Sequence, residues 1–304
     1  MEAHLELREV TKRFSHTLAV DRLTMEVPRG TIYGLLGPNG AGKTTTIRMI
    51  MRITPPDSGT ITLSGTPIDD ELRERIGYLP EERGLYRRMR VLDHLEFLGE
   101  VRGLARAEAR RRASAWLEKL GLADKAARKV EELSKGMQQK VQFAGAVIHD
   151  PEVVVLDEPF TGLDPIATRL IKDELDGMRR RGTTVLFSTH VLPQAEELCD
   201  HLCLINRGRA ILLATLAEAQ AQFDRPALRV LSPAGDAELV AVPGVARVRR
   251  QDGVRIVELA AGAGFPAVIK ALADRVALDG VETYRPSLED IFLRAVEADH
   301  AQVA

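Results

Sequence analysis

The stretch Gly37-Pro38-Asn39-Gly40-Ala41-Gly42-Lys43-Thr44-Thr45 restricts the possible folds of this chain more than any other. It fits G-x-x-x-x-G-K-[ST]. An apolar run, Ile32-Tyr33-Gly34-Leu35-Leu36, precedes it and predicts a buried strand, and Thr46 to Ile53 after it predict a helix. Gly37, Gly40 and Gly42 permit backbone angles closed to other residues, so successive N–H groups can turn inward around a polyphosphate. Lys43 adds a point charge for the β and γ phosphates and Thr44 a hydroxyl for Mg²⁺. The following helix aims its positive dipole end, about half an elementary charge, at the same anion. The expected ligand is ATP, held by every residue from Gly37 to Thr45.

At 304 residues the chain is long for one domain. With 45% hydrophobic residues, 28% charged residues and a net charge of −2, bulk charge points to neither nucleic acid nor lipid as a partner. No apolar run approaches the roughly 18 residues that span a bilayer. Met1-Glu2-Ala3-His4 opens without a basic segment and an apolar signal core, so the expected location is the cytoplasm. Cys199 and Cys203 flank His201, but they lie in an apolar-periodic stretch with no further ligand evident, and they are expected to be buried hydrophobes.

Strand patterns at His4 to Val10 and Leu23 to Val27 predict an antiparallel β element ahead of the P-loop. Between them stands Phe14, among polar neighbours. It either covers a sheet edge or stacks on adenine, and the motifs that follow favour stacking. From Leu92 to about Asp150 the pattern is helical, with Leu95, Leu98 and Val101, then Trp116, Leu117 and Leu120, on apolar faces. Arg110-Arg111-Arg112 have no interleaved aromatic and lie near Glu108 and Glu118, which predicts a solvated face rather than a nucleic-acid site.

A β-branched run, Glu152 to Leu156, predicts a strand buried on both sides, and the βα alternation that continues to Leu213 predicts a parallel sheet. Composition shifts at Asp224-Arg225-Pro226. The remainder predicts a small α+β domain whose last helix starts with a capping box, Ser287 with Asp290. The expected domains are 1–222, with a helical subdomain at about 88–150, and 226–304.

Asp157-Glu158 end the buried strand, where two carboxylates are costly unless cations face them, so they are expected to serve a ligand. His190 ends the strand Val185 to Thr189 and so reaches the same sheet edge. Ser134 and Gly136, in Leu133-Ser134-Lys135-Gly136-Met137, open a second helix start suited to an anion.

With the P-loop, Leu133 to Met137, Asp157-Glu158, Thr161-Gly162-Leu163-Asp164 and His190 in this order, residues 4 to 220 resemble the ATP-binding subunits of ABC transporters. The resemblance implies an α/β P-loop NTPase core with an antiparallel β subdomain and an inserted helical subdomain, followed here by the small C-terminal α+β domain. It implies an Mg²⁺-dependent ATPase in which Lys43 and the P-loop bind phosphates and Thr44 and Asp157 hold the metal. Glu158 would be the general base, His190 would order the base and the γ-phosphate, and Phe14 would stack on adenine. Ser134 and Gly136 would act in trans across a head-to-tail dimer, either a homodimer or a pair with another ATP-binding subunit, with Asp164 in the loop at its seam.

Three positions, in two motifs, depart from the family pattern. Lys135 and Met137 replace commoner residues in the signature. Glu81 stands where glutamine is usual, as a third candidate on the metal. A carboxylate can ligate Mg²⁺ but cannot donate as an amide does. Pro80 to Tyr86 and Pro286 to Phe292 add a similarity to the sodium-exporter type of ATP-binding subunit. The expected function is ATP hydrolysis that powers transport through separate integral membrane permease subunits, on the inner face of the membrane. The alternative is a soluble ABC ATPase switch acting on a macromolecule.

Overall fold

A computed structural model describes residues 3–82, 84–223, 226–251 and 253–303. The expected boundary at Asp224-Arg225 and the motif residue Arg83 lie outside that set. The chain divides into two compact units, Met1–Leu216 with Ala295–Ala304, and Ala217–Arg294.

In the first unit, β1 (Ala3–Phe14) and β2 (Thr17–Pro28) form a long hairpin. Then come β3 (Ile32–Leu36), α1 (Lys43–Ile50), β4 (Ser58–Leu63), β5 (Thr66–Pro67), α2 (Asp70–Glu74) and β6 (Ile76–Leu79). An antiparallel sheet takes the order β2-β1-β4-β5. Its inward side chains Leu5, Leu7, Leu23 and Met25 join Ile47, Met49 and Ile50 of α1 in one core, together with Leu35, Val155 and Leu186. The P-loop helix is thereby fixed between two sheets. Each such apolar side chain contributes about 1.5–3 kcal/mol by leaving water.

The second sheet takes the order β10-β9-β3-β8-β7-β6, with β7 (Val153–Asp157), β8 (Thr184–Thr189), β9 (His201–Asn206) and β10 (Arg209–Thr215). Its strands are parallel except β10, which returns from β9 as a hairpin. β3, β7 and β8 are buried throughout, as a parallel sheet covered on both faces requires. Because β3, β8 and β7 are neighbours, the P-loop, His190 and Asp157-Glu158 emerge at one edge, the carboxyl ends where open α/β sheets bind ligands. α6 (Pro165–Arg180) and α7 (Leu192–Glu196) connect the later strands.

Between β6 and β7 lie α3 (Val91–Val101), α4 (Arg106–Lys119) and α5 (Lys135–Val147). α3 packs on both of the others, and Trp116 meets Phe143 edge-on, centroids 5.8 Å apart. Val101, expected on the apolar face, is 61% exposed, because it ends α3 beyond the packed turns. Arg111 and Arg112 pair with Glu108, whereas Arg110 and Arg106 pair with Glu96, an acid the sequence did not single out.

His94 of α3 is completely buried and neither ring nitrogen has a hydrogen-bond partner among the described residues, so burial alone pushes its pKa down to about 4. Its folded pKa lies below its unfolded one. The associated stability is therefore complete above about pH 6.5 and is lost as pH falls toward the folded value. Between about pH 7 and about pH 5 the wild-type chain is expected to lose about 2 kcal/mol more than His94→Met. Urea unfolding at the two pH values checks this; parallel losses would remove His94 from the acid response.

After α8 (Leu216–Phe223), the second unit contains β11 (Ala227–Leu231), α9 (Asp236–Val240), β12 (Val245–Gln251), β13 (Val254–Leu259), α10 (Phe265–Arg275), β14 (Gly280–Thr283) and the start of α11 (Leu288–Val303), whose residues from Ala295 onward are assigned to the first unit. Its antiparallel sheet, order β12-β13-β11-β14, packs Leu228, Val230 and Val257 against Leu239, Val268 and Leu272. The capping box forms: Asp290 N donates to Ser287 Oγ at 3.2 Å and Ser287 N to Asp290 Oδ2 at 3.0 Å. α2 and α9, five residues each, are too short to show a helical period and were not expected.

Candidate functional site

The chain leaves β3 at Gly37, where a Cβ would stand 2.2 Å from the Ile205 carbonyl oxygen, so only glycine lets the loop pass that close. Gly42, in the left-handed region at φ 109°, turns it into α1, and a Cβ there would meet the Ala19 carbonyl at 2.5 Å. The helix begins at Lys43, three residues earlier than the apolar pattern suggested. Lys43, Thr44 and Thr45 thus form its first turn, and no side chain caps its N-terminus. Lys43 is buried, and its Nζ donates to the carbonyls of Gly37 at 2.8 Å and Pro38 at 3.1 Å. Burial lowers its pKa, against the opposing pull of Glu158, Asp157 and Glu81.

Asp157 ends β7 in register with Ser188 of β8, whose hydroxyl donates to Asp157 Oδ1. Asp157 Oδ2 is buried without a hydrogen-bond partner among the described residues, and burial raises the pKa of this carboxyl. Thr44 Oγ1, whose hydrogen bond to Asp157 opposes that rise, lies 3.4 Å from Glu81 Oε2 in the loop after β6. One hydroxyl and two carboxylates, with one oxygen lacking any donor, are hard oxygen ligands. Mg²⁺ uses that type when phosphate oxygens and water complete its shell, so these residues fit the ion.

Glu158 follows directly with φ at 50°, uncommon for a non-glycine residue and costing about 1–3 kcal/mol. Its amide donates to the Ser188 carbonyl at 3.2 Å. The buried carboxylate is gripped from three sides. His190 Nδ1 lies 2.8 Å from Oε1, the Thr189 hydroxyl donates to Oε2 at 3.2 Å, and Lys43 Nζ lies 3.8 Å from Oε1. An ionised carboxylate only accepts, so Nδ1 carries the hydrogen. Lys43, Thr44, Glu81, Asp157, Glu158 and His190 therefore converge, from the first turn of α1, the carboxyl ends of β7 and β8 and the loop after β6.

Other expected residues stand apart from this cluster in their contacts. Phe14 is 47% exposed at the tip of the first hairpin, its ring centroid 5.5 Å from Lys12 Nζ. Ser134 caps α5, accepting from Met137 N at 3.3 Å, and Gly136 lies against the Gly162 carbonyl. Asp164 caps α6 through Ala167 N at 2.8 Å. Cys199 and Cys203 are buried, and burial pushes the Cys203 thiol up to about 12. Ser188 and Thr189 escaped the sequence reading. Two adjacent hydroxyls closing the apolar run Val185 to Phe187 were the available signal, since buried hydroxyls need partners.

Residues 20–161 match the family model "ABC transporter", and residues 215–296 match "ATP-binding protein DrrA1-3-like, C-terminal domain". An uncharacterized ABC transporter ATP-binding protein of Bacillus subtilis (strain 168), YhaQ, is 38% identical over 295 residues, 97% of this chain and 99% of the relative. Nod factor export ATP-binding protein I of Cupriavidus pinatubonensis is 42% identical over 214 residues, 69% of this chain and 66% of the relative. A solved ATP-binding subunit of an ABC transporter is 32% identical with a TM-score of 0.68, over 72% of this chain and 92% of that one. Clostridium perfringens cbiO1, described as part of the ABC transporter complex cbiONQ, is 29% identical with a TM-score of 0.64, over 73% and 92%. With the fold, the phosphate loop and the carboxylate cluster in place, the chain belongs to the ATP-binding subunits of ABC transporters, the ATPases that drive transport, and carries a DrrA-like C-terminal domain.

Proposed function

We propose that this chain powers an exporter, hydrolysing Mg·ATP as a head-to-tail dimer on the cytoplasmic face of a membrane and acting through separate permease subunits. The observation that carries the catalytic half is the grip on Glu158 beside Lys43 and the unpartnered Asp157 oxygen. Lys43 and the amides of Gly37 to Thr45 bind the phosphates. Thr44, Asp157 and Glu81 hold Mg²⁺, which when bound neutralises charge developing on the phosphate oxygens. Glu158 accepts the proton of the attacking water, with His190 fixing its orientation. Phe14 stacks on adenine, and Ser134 and Gly136 of a second copy close over the nucleotide.

No helix among the described residues is long and apolar enough to cross a membrane, so a substrate route would lie in other chains. The assembly named for cbiO1 and the export function named for the Nod factor relative support that reading. The docking face is the cleft from Glu81 to Leu95. There Tyr86 is 53% exposed and packs edge-on to Phe97 with centroids 5.4 Å apart. The ATP-binding domain is assigned to 1–222 and the accessory domain, which would stabilise the dimer or regulate it, to 226–304. Affinity capture of the full chain from detergent-solubilised membranes should bring down an integral membrane protein; recovery only with ribosomes would favour the soluble switch.

Glu81→Gln is expected to raise the Mg²⁺ concentration for half-maximal turnover by about tenfold, because a neutral oxygen replaces a charged one near the ion. Superimposable Mg²⁺ titrations of the two proteins would take Glu81 off the metal.

A further inference from the structure

Glu81 lies in the loop after β6, outside any helix or strand, yet one side chain of α5 holds its main chain on both sides. Gln142 Nε2 donates to the Pro80 carbonyl at 2.8 Å and, more weakly, to the Glu82 carbonyl at 3.5 Å. Gln142 is only 6% exposed, and its Oε1 is buried with no hydrogen-bond partner among the described residues. A core amide left half unpaired costs stability that methionine, of similar volume, would not, so packing does not account for it. Three residues earlier on the same helix, Gln139 Nε2 donates at 3.1 Å to the carbonyl of Pro159, next to Glu158. α5, which starts at Ser134, is therefore tied to the loops that carry both carboxylates.

We propose that Gln142 is a positioning residue for ATP hydrolysis: by clamping the backbone on either side of Glu81, it sets that carboxylate beside Thr44, on the metal side of the nucleotide. The inference rests on the reading of Glu81 as a metal-side group. Gln142 touches neither nucleotide nor ion and acts only through where it puts Glu81.

The test measures binding of a fluorescent ATP analogue against Mg²⁺ concentration in full-length chains that also carry Glu158→Gln, so that nucleotide is bound but not consumed. Gln142→Met should raise the Mg²⁺ concentration for half-maximal binding by about tenfold, the usual scale for a group that orients a metal ligand. It should leave Mg²⁺-free binding and the urea midpoint no lower than before. Added to Glu81→Ala, it should produce no further shift. Equal shifts in both backgrounds, or none where Glu81→Ala alone shifts the titration, would overturn the proposal. A lowered urea midpoint with an unmoved titration would also overturn it, in favour of a packing role. Glu81→Ala without effect would remove the reading of Glu81 and the inference with it. Should Gln142→Met not fold, Gln142→Asn, whose amide is one methylene short of both carbonyls, replaces it under the same outcomes.

Discussion

Replacing Glu158 with glutamine is expected to slow ATP turnover by about 10²- to 10⁴-fold while leaving ATP affinity nearly unchanged. The two side chains have the same shape, so the unusual backbone turn at φ 50° and the packing against Thr189 should persist. An amide cannot take the proton of the attacking water, and only that step should suffer. The His190 contact at 2.8 Å argues the same way: the protein spends a strained residue and a half-exposed imidazole on aiming one carboxylate. Phosphate release at saturating ATP, together with equilibrium nucleotide binding, reads both halves. Turnover equal to wild type would end the assignment of Glu158 as base.

The second large effect concerns what one copy lacks. Lys43→Ala and Ser134→Asp should each lower turnover by at least about 10²-fold, the scale for removing a charge-stabilising group from a phosphoryl-transfer site. Aspartate caps a helix as well as serine does, so Ser134→Asp keeps α5 intact while setting a negative charge against phosphate. If sites form head to tail, a mixed dimer puts both lesions in one site and leaves the other whole. Mixing the two inactive proteins should therefore restore ATPase activity that neither shows alone. Failure to recover activity at any mixing ratio, with dimers demonstrably exchanging, would show that Ser134 does not complete a partner's site.

The P-loop announced itself because its chemistry is local: glycines, lysine and threonine lie adjacent in the chain, between a strand and a helix that periodicity predicts. The same locality made the parallel core legible, since strands such as Val153–Asp157, buried on both faces, are written as continuous apolar runs. The capping box of Ser287 and Asp290 was readable for the same reason. Short elements such as Asp70–Glu74 carry too few residues for a period. The exposure of Val101 depended on where neighbouring helices stop, which spacing along α3 does not encode.

By itself, then, the sequence determined the kind of chemistry and singled out candidates for it: Lys43, Thr44, Asp157, Glu158 and His190. Only the tertiary structure decided how they are held. Strand order places β8 between β3 and β7, and this alone brings the Ser188 hydroxyl to Asp157 and Thr189 and His190 to Glu158. The link from Gln142 to the loop of Glu81 joins residues about sixty positions apart. Such contacts arise when separate elements pack, and packing depends on surfaces assembled from the whole chain, whereas a phosphate loop or a helix cap depends only on neighbours in the chain.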